Sequence, residues 1–102
     1  MAKTKIKLYD VGEYLETEED MAAYLQAAFE DGDPALVIHA LGNIARARGM
    51  SQIARETGLR RESLYKALSP EGNPEFATVL KVVQALGIKL RAEPMHGHVA
   101  NS

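Results

Sequence analysis

Apolar residues recur every three or four positions between residues 18 and 31, which is the period of an α-helix with one buried face. Thr17 precedes them as a candidate N-cap, and acidic residues fill the first turn, where carboxylates meet the positive end of a helix. Gly32 suits a left-handed residue that ends this helix. The apolar stripe consists of Met21, Tyr24, Leu25, Ala28 and Phe29.

A second apolar stripe with the same period follows at once. Asp33 and Pro34 have the chemistry of an N-cap and a first helical residue. They predict a helix that extends to Arg48 and ends at Gly49, with arginines near its negative end. The apolar positions of this helix are Leu36, Val37, Ala40, Leu41, Ile44 and Ala45.

Two short helices, separated by Gly58, are predicted next. Ser51 caps the first, which extends to about Thr57, and the second extends from about Arg61 to Leu68. Glycine at the break permits a left-handed turn between them. If the two helices cross at a steep angle, their apolar residues face one shared core. These residues are Ile53, Ala54, Leu59, Leu64, Ala67 and Leu68.

Residues 51–68 therefore have the pattern of a helix-turn-helix. Ala54 is small where the second helix must cross closely, Gly58 allows the sharp turn, and Leu59 fills the space beneath it. Leu64 then marks the inward face of the second helix.

A loop dense in turn residues, 69–74, leads to a fifth predicted helix. This helix begins at Pro74, with Asn73 as its predicted cap, and closes at Gly87. Its apolar face consists of Phe76, Val79, Leu80, Val83 and Leu86, and we expect Phe76 to fill the core.

Residues 88–93 alternate apolar and polar side chains, as a half-buried β-strand does. Because one short strand is unstable alone, it needs residues 5–11 of its own chain, or its twin in a second chain, as a partner. We therefore predict an all-α fold, a five-helix bundle with a short terminal β-strand. The predicted organisation is an arm or short strand at 1–13, a helix-turn-helix domain at 14–94 and a flexible tail at 95–102.

The composition is that of one globular domain without an evident catalytic motif. The 102 residues are 46% hydrophobic and 25% charged. The absence of cysteine excludes disulfides and thiolate ligands and fits a reducing cytoplasm. No apolar run approaches the ~20 residues that span a bilayer. We expect no enzyme activity, cofactor or small-molecule ligand, and no metal site at His96 and His98, which lack accompanying ligands.

Charge is distributed unevenly behind a net charge of −2. Residues 9–33 contain nine acids and no Lys or Arg, whereas residues 46–66 contain six bases and two acids, a net charge of +4. Either the helix faces are simply solvated, or a basic surface meets a polyanion and an acidic surface meets another partner.

The position of the arginines favours a nucleic-acid partner. The second helix of a helix-turn-helix enters the DNA major groove with its N-terminal residues foremost. Arg60 and Arg61 lie at that leading end, although arginine there opposes the helix dipole. Tyr65 and Lys66 face outward one turn later. Ser63 can reach a base edge or phosphate at close range, and Glu62 can accept from a cytosine amino group or hold a neighbouring base.

The chain from residue 41 to residue 90 resembles a known family. The most specific pieces are GLRRESLYKAL and GNPEFATVLKVVQALG, and residues 14–42 are also similar. The resemblance is to antidote proteins of bacterial addiction modules, in the HigA-like group of the Xre/Cro-like helix-turn-helix class, with its lambda-repressor-like fold. It implies DNA reading by Arg61, Glu62, Tyr65 and Lys66, and phosphate contacts by Gln52, Arg60 and Ser63.

The resemblance also implies a homodimeric bacterial repressor of its own operator and a basic RelE/ParE-like toxin as a partner. The acidic N-terminal third suits a basic partner, and we predict toxin contact at Glu18, Glu19 and Asp20. These three acids could equally be a solvated helix end. The alternative function is a protein-interaction module that caps a partner and does not bind DNA.

Overall fold

The computed structural model describes residues 15–95, which form five α-helices. They are α1 (Glu18–Asp31), α2 (Pro34–Arg48), α3 (Met50–Thr57), α4 (Arg61–Ala67) and α5 (Phe76–Ala85). α1 packs against α2, α2 against α3, and α3 against both α4 and α5. The predicted five-helix architecture is confirmed within this part of the chain.

Every helix contributes to one aliphatic core. Full burial of a Leu, Ile or Val side chain contributes roughly 1.5–3 kcal/mol, so the helices are held together mainly by this core. Within residues 15–95 no polar or charged residue is buried. The largest fully buried side chains are Leu25, Leu41, Ile44, Ile53, Leu64, Leu68, Leu86, Val82 and Val83.

The first two helices begin and end as predicted. Thr17 Oγ1 accepts from the Asp20 N–H at 3.0 Å, and the Asp20 carboxylate accepts from the Thr17 N–H at 3.4 Å. Gly32, with φ of 85°, ends α1 in the left-handed region. Asp33 Oδ1 then accepts from the Ala35 N–H at 3.0 Å and caps α2. Local hydrogen bonds thus set these boundaries.

α3 and α5 begin at other residues than predicted. Gly49 is the N-cap of α3, so Ser51 lies inside the first turn instead of capping it. Glu75 is the N-cap of α5, so that helix begins at Phe76 and Asn73 does not cap it. Neither N-cap makes a side-chain hydrogen bond, and the residue that opens α3 is itself buried. Packing, rather than capping chemistry, sets both starts.

The prediction that Phe76 fills the core is wrong, because its side chain is 67% exposed. α5 buries Val79, Val82 and Val83. A helical side chain tilts toward the N-terminus, and Phe76 is the first residue of α5. Its side chain therefore has no preceding turn of α5 to pack against.

The predicted terminal strand is also wrong for residues 88–93, which form no strand. Their alternating burial is present: Ile88 is buried, Leu90 is half-buried, and Lys89 and Arg91 are exposed. Alternation here reflects an extended segment that packs on the core without a paired strand in the described residues. The proposed partner strand, 5–11, lies outside the described residues.

Two glycines allow close approach of backbone segments. A Cβ on Gly42 of α2 would lie 2.9 Å from the carbonyl oxygen of Leu68 at the end of α4. A Cβ on Gly72 would collide with the carbonyl oxygen of Ala67. These contacts fix the C-terminal end of α4 against α2 and fold the following loop back onto it.

Candidate nucleic-acid interface

The turn between α3 and α4 is closed by backbone and side-chain hydrogen bonds. Gly58 has φ of 78°, and its N–H donates to the Ala54 carbonyl at 2.9 Å. The Thr57 hydroxyl donates to the Ile53 carbonyl at 2.8 Å and accepts from the Leu59 N–H at 3.3 Å. Sequence reasoning missed Thr57, although a hydroxyl residue just before a left-handed glycine is a recognisable turn signal.

The inner side of α4 anchors it to the core. Leu64 is fully buried, and Ala54 and Leu59 are half-buried against the core. Gly58 thus lies at the turn, and Ala54, Leu59 and Leu64 lie on the side that packs on the core. The rest of α4 is left to solvent.

The outer side of α4 presents the residues predicted to contact DNA. Arg60 is the N-cap, in an extended conformation with φ of −74°, and its side chain makes no capping hydrogen bond. The structure brings six of the seven predicted residues together on or at the start of this helix. All six are exposed: Arg60, Arg61, Glu62, Ser63, Tyr65 and Lys66.

Arg61 and Tyr65 form a cation–π pair along α4. The guanidinium carbon of Arg61 lies 5.5 Å from the centre of the Tyr65 ring, within the range of such contacts. Contact with a ring face uses none of the guanidinium N–H donors. Arg61 is thus steadied while it can still donate to a phosphate or a guanine.

The positive charge at the start of α4 is not matched by an ion pair, although Glu62 lies in the same first turn. Within residues 15–95, the single ion pair joins Arg48 to Glu18. Arg60, Arg61 and Lys66 therefore have no carboxylate of the described chain within ion-pair distance. The first two also lie at the positive end of the helix dipole, which adds to their field.

Gln52, the seventh predicted residue, is on α3 and is already engaged. Its amide donates to the Glu56 carboxylate at 3.1 Å, and the residue is half-buried. Arg46 and Arg48, the bases at the end of α2, also have other partners. Arg46 donates to Asn43 Oδ1 at 2.8 Å, and Arg48 pairs with an acid of α1.

Two of the three acids predicted to meet a protein partner have local structural roles. Glu18 Oε2 lies 3.8 Å from a guanidinium nitrogen of Arg48, and Asp20 completes the capping box with Thr17. Glu19 is exposed, and no bond to its side chain is found in the described structure. This end of α1 is therefore accounted for largely by its own helix.

Within residues 15–95, no group of three or more His, Cys, Asp or Glu side chains is placed to hold a metal ion. His96 and His98 lie outside this range. No described helix combines the length and the apolar character needed to cross a membrane.

Comparison with known proteins connects this scaffold to a family. The sequence model of a family described as "probable addiction module antidote protein" matches residues 5–94. The chain belongs to this antidote family. Membership implies a cognate toxin as a partner and a regulatory, non-enzymatic role.

A relative from Haemophilus influenzae, described as an uncharacterized protein, is 49% identical over 89 residues. The alignment covers 87% of this antidote and 92% of the relative, so the similarity extends over nearly all of both chains. No solved structure matches the chain significantly.

Proposed function

We propose that this antidote is a homodimeric, sequence-specific DNA-binding repressor of its own operon, in the HigA-like group of Xre/Cro-like helix-turn-helix proteins. In the same proposal it neutralises a toxin of the RelE/ParE-like type. The observation that carries the DNA-binding part is the exposed, unpaired positive charge at the leading end of α4.

In this proposal α3, the turn and α4 form a lambda-repressor-like helix-turn-helix, and α4 enters the major groove. Arg61 is the base-reading residue, because a guanidinium can bridge O6 and N7 of guanine. Tyr65 and Lys66 follow one turn later on the same exposed side. Glu62 accepts from a cytosine amino group, while Arg60, Ser63 and Gln52 contact phosphates; Gln52 must first release Glu56 to do so.

A local conflict supports a recognition role for the arginines. Arg60 stands at an N-cap position, where Ser, Thr, Asn or Asp would stabilise the helix. Arg61 adds a second positive charge at the positive end of the dipole. The described structure shows no capping hydrogen bond and no ion pair for either arginine, and such local conflicts occur at functional sites.

Two features support the proposed dimer, the small size of the reading surface and an uncovered face of α5. A helix of seven residues offers few base contacts, and two-fold pairing doubles them. Phe76 is 67% exposed at the start of α5. Leu80, Ile88 and Leu90 line an apolar groove along the same helix and the segment after it. We assign the subunit contact to this face.

The decisive experiment is a titration of the protein with the DNA upstream of its gene, at two salt concentrations, beside an unrelated duplex. The Arg61→Ala, Lys66→Ala double variant should bind at least ~10-fold more weakly, because each lost base or phosphate contact is worth about 1–3 kcal/mol. Its salt dependence should also be shallower. The control is Lys81→Ala, Arg91→Ala, which removes the same charge from exposed positions outside α3 and α4.

Equal, weak binding to both duplexes, or a control as impaired as the test variant, would contradict sequence-specific reading by α4. The function would then move to the second candidate, a protein-interaction module, which the exposed Phe76 favours. For the dimer, light scattering of Phe76→Ser should show a lower mass than the parent protein. A monomeric parent would contradict the dimer.

A further inference from the structure

The tip of the α1–α2 hairpin, residues 29–36, combines exposed apolar side chains with unbalanced negative charge. Phe29 is 40% exposed at the end of α1, and Leu36 is 38% exposed at the start of α2. The same eight residues contain three acids and no base. The tip thus combines net negative charge with two of the few exposed large apolar side chains of the described residues.

The acids at the tip break a local rule. Glu30 and Asp31 lie in the last turn of α1, at the negative end of its dipole, and no basic residue accompanies them there. Glu30 accepts a hydrogen bond from the Gln26 amide at 3.1 Å, which leaves its charge unbalanced. Among the described residues no ion pair involves the tip. Helix stability alone would favour lysine or arginine at these positions.

The first turn of α1 differs in this respect. Its acids lie at the favourable, positive end of the dipole, and two of them have partners. Glu18 contacts Arg48, and Asp20 caps its own helix. The charge with no local structural explanation is therefore at the other end of α1.

The apolar residues at the tip lie just off the core-facing stripe. Ala28 is buried and Val37 is half-buried, whereas their chain neighbours Phe29 and Leu36 are exposed. Within the described residues the core is complete without them. Two exposed large apolar residues with three acids between them in the chain have the composition of a protein interface, with an apolar centre and a polar edge.

We infer that the hairpin tip is the docking surface for the cognate toxin, which would present basic side chains around an apolar depression. This inference rests on the proposed antidote function and gives it a location. Phe29 and Leu36 would enter the depression, while Glu30 and Asp31 would meet its basic rim. Their charge would also accelerate encounter with a basic partner.

The charge of the tip selects this partner over the other candidates. DNA is excluded because three acids repel phosphate. A second copy of the chain is disfavoured because a two-fold contact of the tip with itself would bring six acids together, three from each chain. A basic protein surface is the occupant that gains from the charge and covers the apolar pair.

The test measures the affinity of the purified full-length antidote for the toxin encoded beside its gene, at low and moderate salt. Phe29→Ala, Leu36→Ala should weaken binding at least ~10-fold and keep its salt dependence. Glu30→Lys, Asp31→Lys should weaken it at least ~10-fold, mostly at low salt, and flatten the salt dependence. The matched control is Glu16→Lys, Glu93→Lys, which reverses two exposed acids outside the tip and should remain within ~3-fold of the parent.

Urea unfolding checks that each variant is folded, and operator affinity is the second readout. Operator binding by the tip variants at parental strength, with toxin binding lost, would support the inference. Tip variants that bind the toxin like the parent, or a control that loses more affinity than they do, would overturn it.

A lower mass of Phe29→Ala, Leu36→Ala in light scattering would identify a second copy as the occupant and also overturn it. The two proposals can fail separately. A parent protein that binds the toxin but not the operator refutes DNA reading and leaves the tip testable. A parent protein that binds the operator but not the toxin refutes the inference that the tip docks the toxin.

Discussion

The hairpin of α1 and α2 and the pair of α3 and α4 carry opposite charge and use it differently. In the hairpin, most acids at helix starts have a local structural role: Asp20 and Asp33 are hydrogen-bonded caps, and Glu18 contacts Arg48. At the start of α4, the arginines have neither a cap bond nor an acidic partner in the described structure. Charge that satisfies its own helix is sufficiently explained by folding, whereas charge that opposes its own helix calls for a partner.

The same criterion separates the two ends of α1. The first turn follows the dipole rule, and the last turn, with Glu30 and Asp31, violates it. Net charge alone would assign the whole acidic stretch to one partner. The local contacts narrow the candidate partner-binding acids to those that neither capping nor the helix dipole explains.

The largest expected effect tests whether the two regions share one core. Leu64→Ala in α4 and Leu25→Ala in α1 each remove a fully buried side chain, and each should reduce the free energy of unfolding by about 2–5 kcal/mol. Urea unfolding followed by circular dichroism should show one transition for both variants. A second transition, confined to the Leu64 variant, would mean that α3 and α4 unfold independently of the α1–α2 hairpin.

The next effect concerns the capping box that begins α1. Thr17→Ala removes the hydroxyl that accepts from the Asp20 N–H, so the free energy of unfolding should fall by about 1 kcal/mol. Glu16→Ala, at the exposed neighbouring position, should stay within about 0.5 kcal/mol of the parent. Chemical denaturation compares them, and equal losses would remove the distinction between capping and surface acids.

At the start of α4, a substitution is expected to raise the free energy of unfolding instead of lowering it. Arg60→Ser supplies a capping hydroxyl and removes a charge that opposes the dipole, so stability should rise by about 0.5–1 kcal/mol. Operator affinity at low salt should fall in the same variant if Arg60 makes the proposed phosphate contact. Unfolding and DNA titration should be measured on one preparation. Higher stability with unchanged affinity would exclude Arg60 from recognition.

The smallest effect belongs to the ion pair between α1 and α2. Glu18 and Arg48 are 3.8 Å apart, with side chains 59% and 27% exposed, so Glu18→Gln should cost only a few tenths of a kcal/mol. The difference from the parent should vanish in 1 M salt, where screening acts over about 3 Å. A loss that persists in 1 M salt would show that the Glu18 carboxylate contributes by more than a screened charge attraction.

Sequence reasoning was most accurate where neighbours in the chain decide the structure. The starts of α1 and α2 depend on Thr17, Asp33 and Pro34, whose hydrogen bonds reach only two or three residues. The turn at Gly58 was predicted because only glycine adopts its left-handed conformation at no steric cost. The outward side of α4 followed from the inward apolar positions, since a short helix has only two sides.

Sequence reasoning was wrong where segments that are distant in the chain decide the local structure. Ser51 and Asn73 have good capping chemistry, but packing starts α3 and α5 elsewhere. The pattern of residues 88–93 fits a strand, yet a strand also needs a paired neighbour, and none is found in residues 15–95. The domain boundaries and the DNA-contacting and toxin-contacting residues stay predictions until the binding experiments are made.

The sequence alone is thus enough to predict five helices, their order and the distribution of charge among them. The helical period and the helix caps depend on residues that are close together in the chain. Tertiary contacts decide which charges are already matched and which apolar residues are left uncovered. Arg48 meets Glu18 across thirty positions of the chain, while Phe76 and Phe29 stay exposed beside a complete core. Such pairings depend on how helices cross, and no local pattern encodes that geometry.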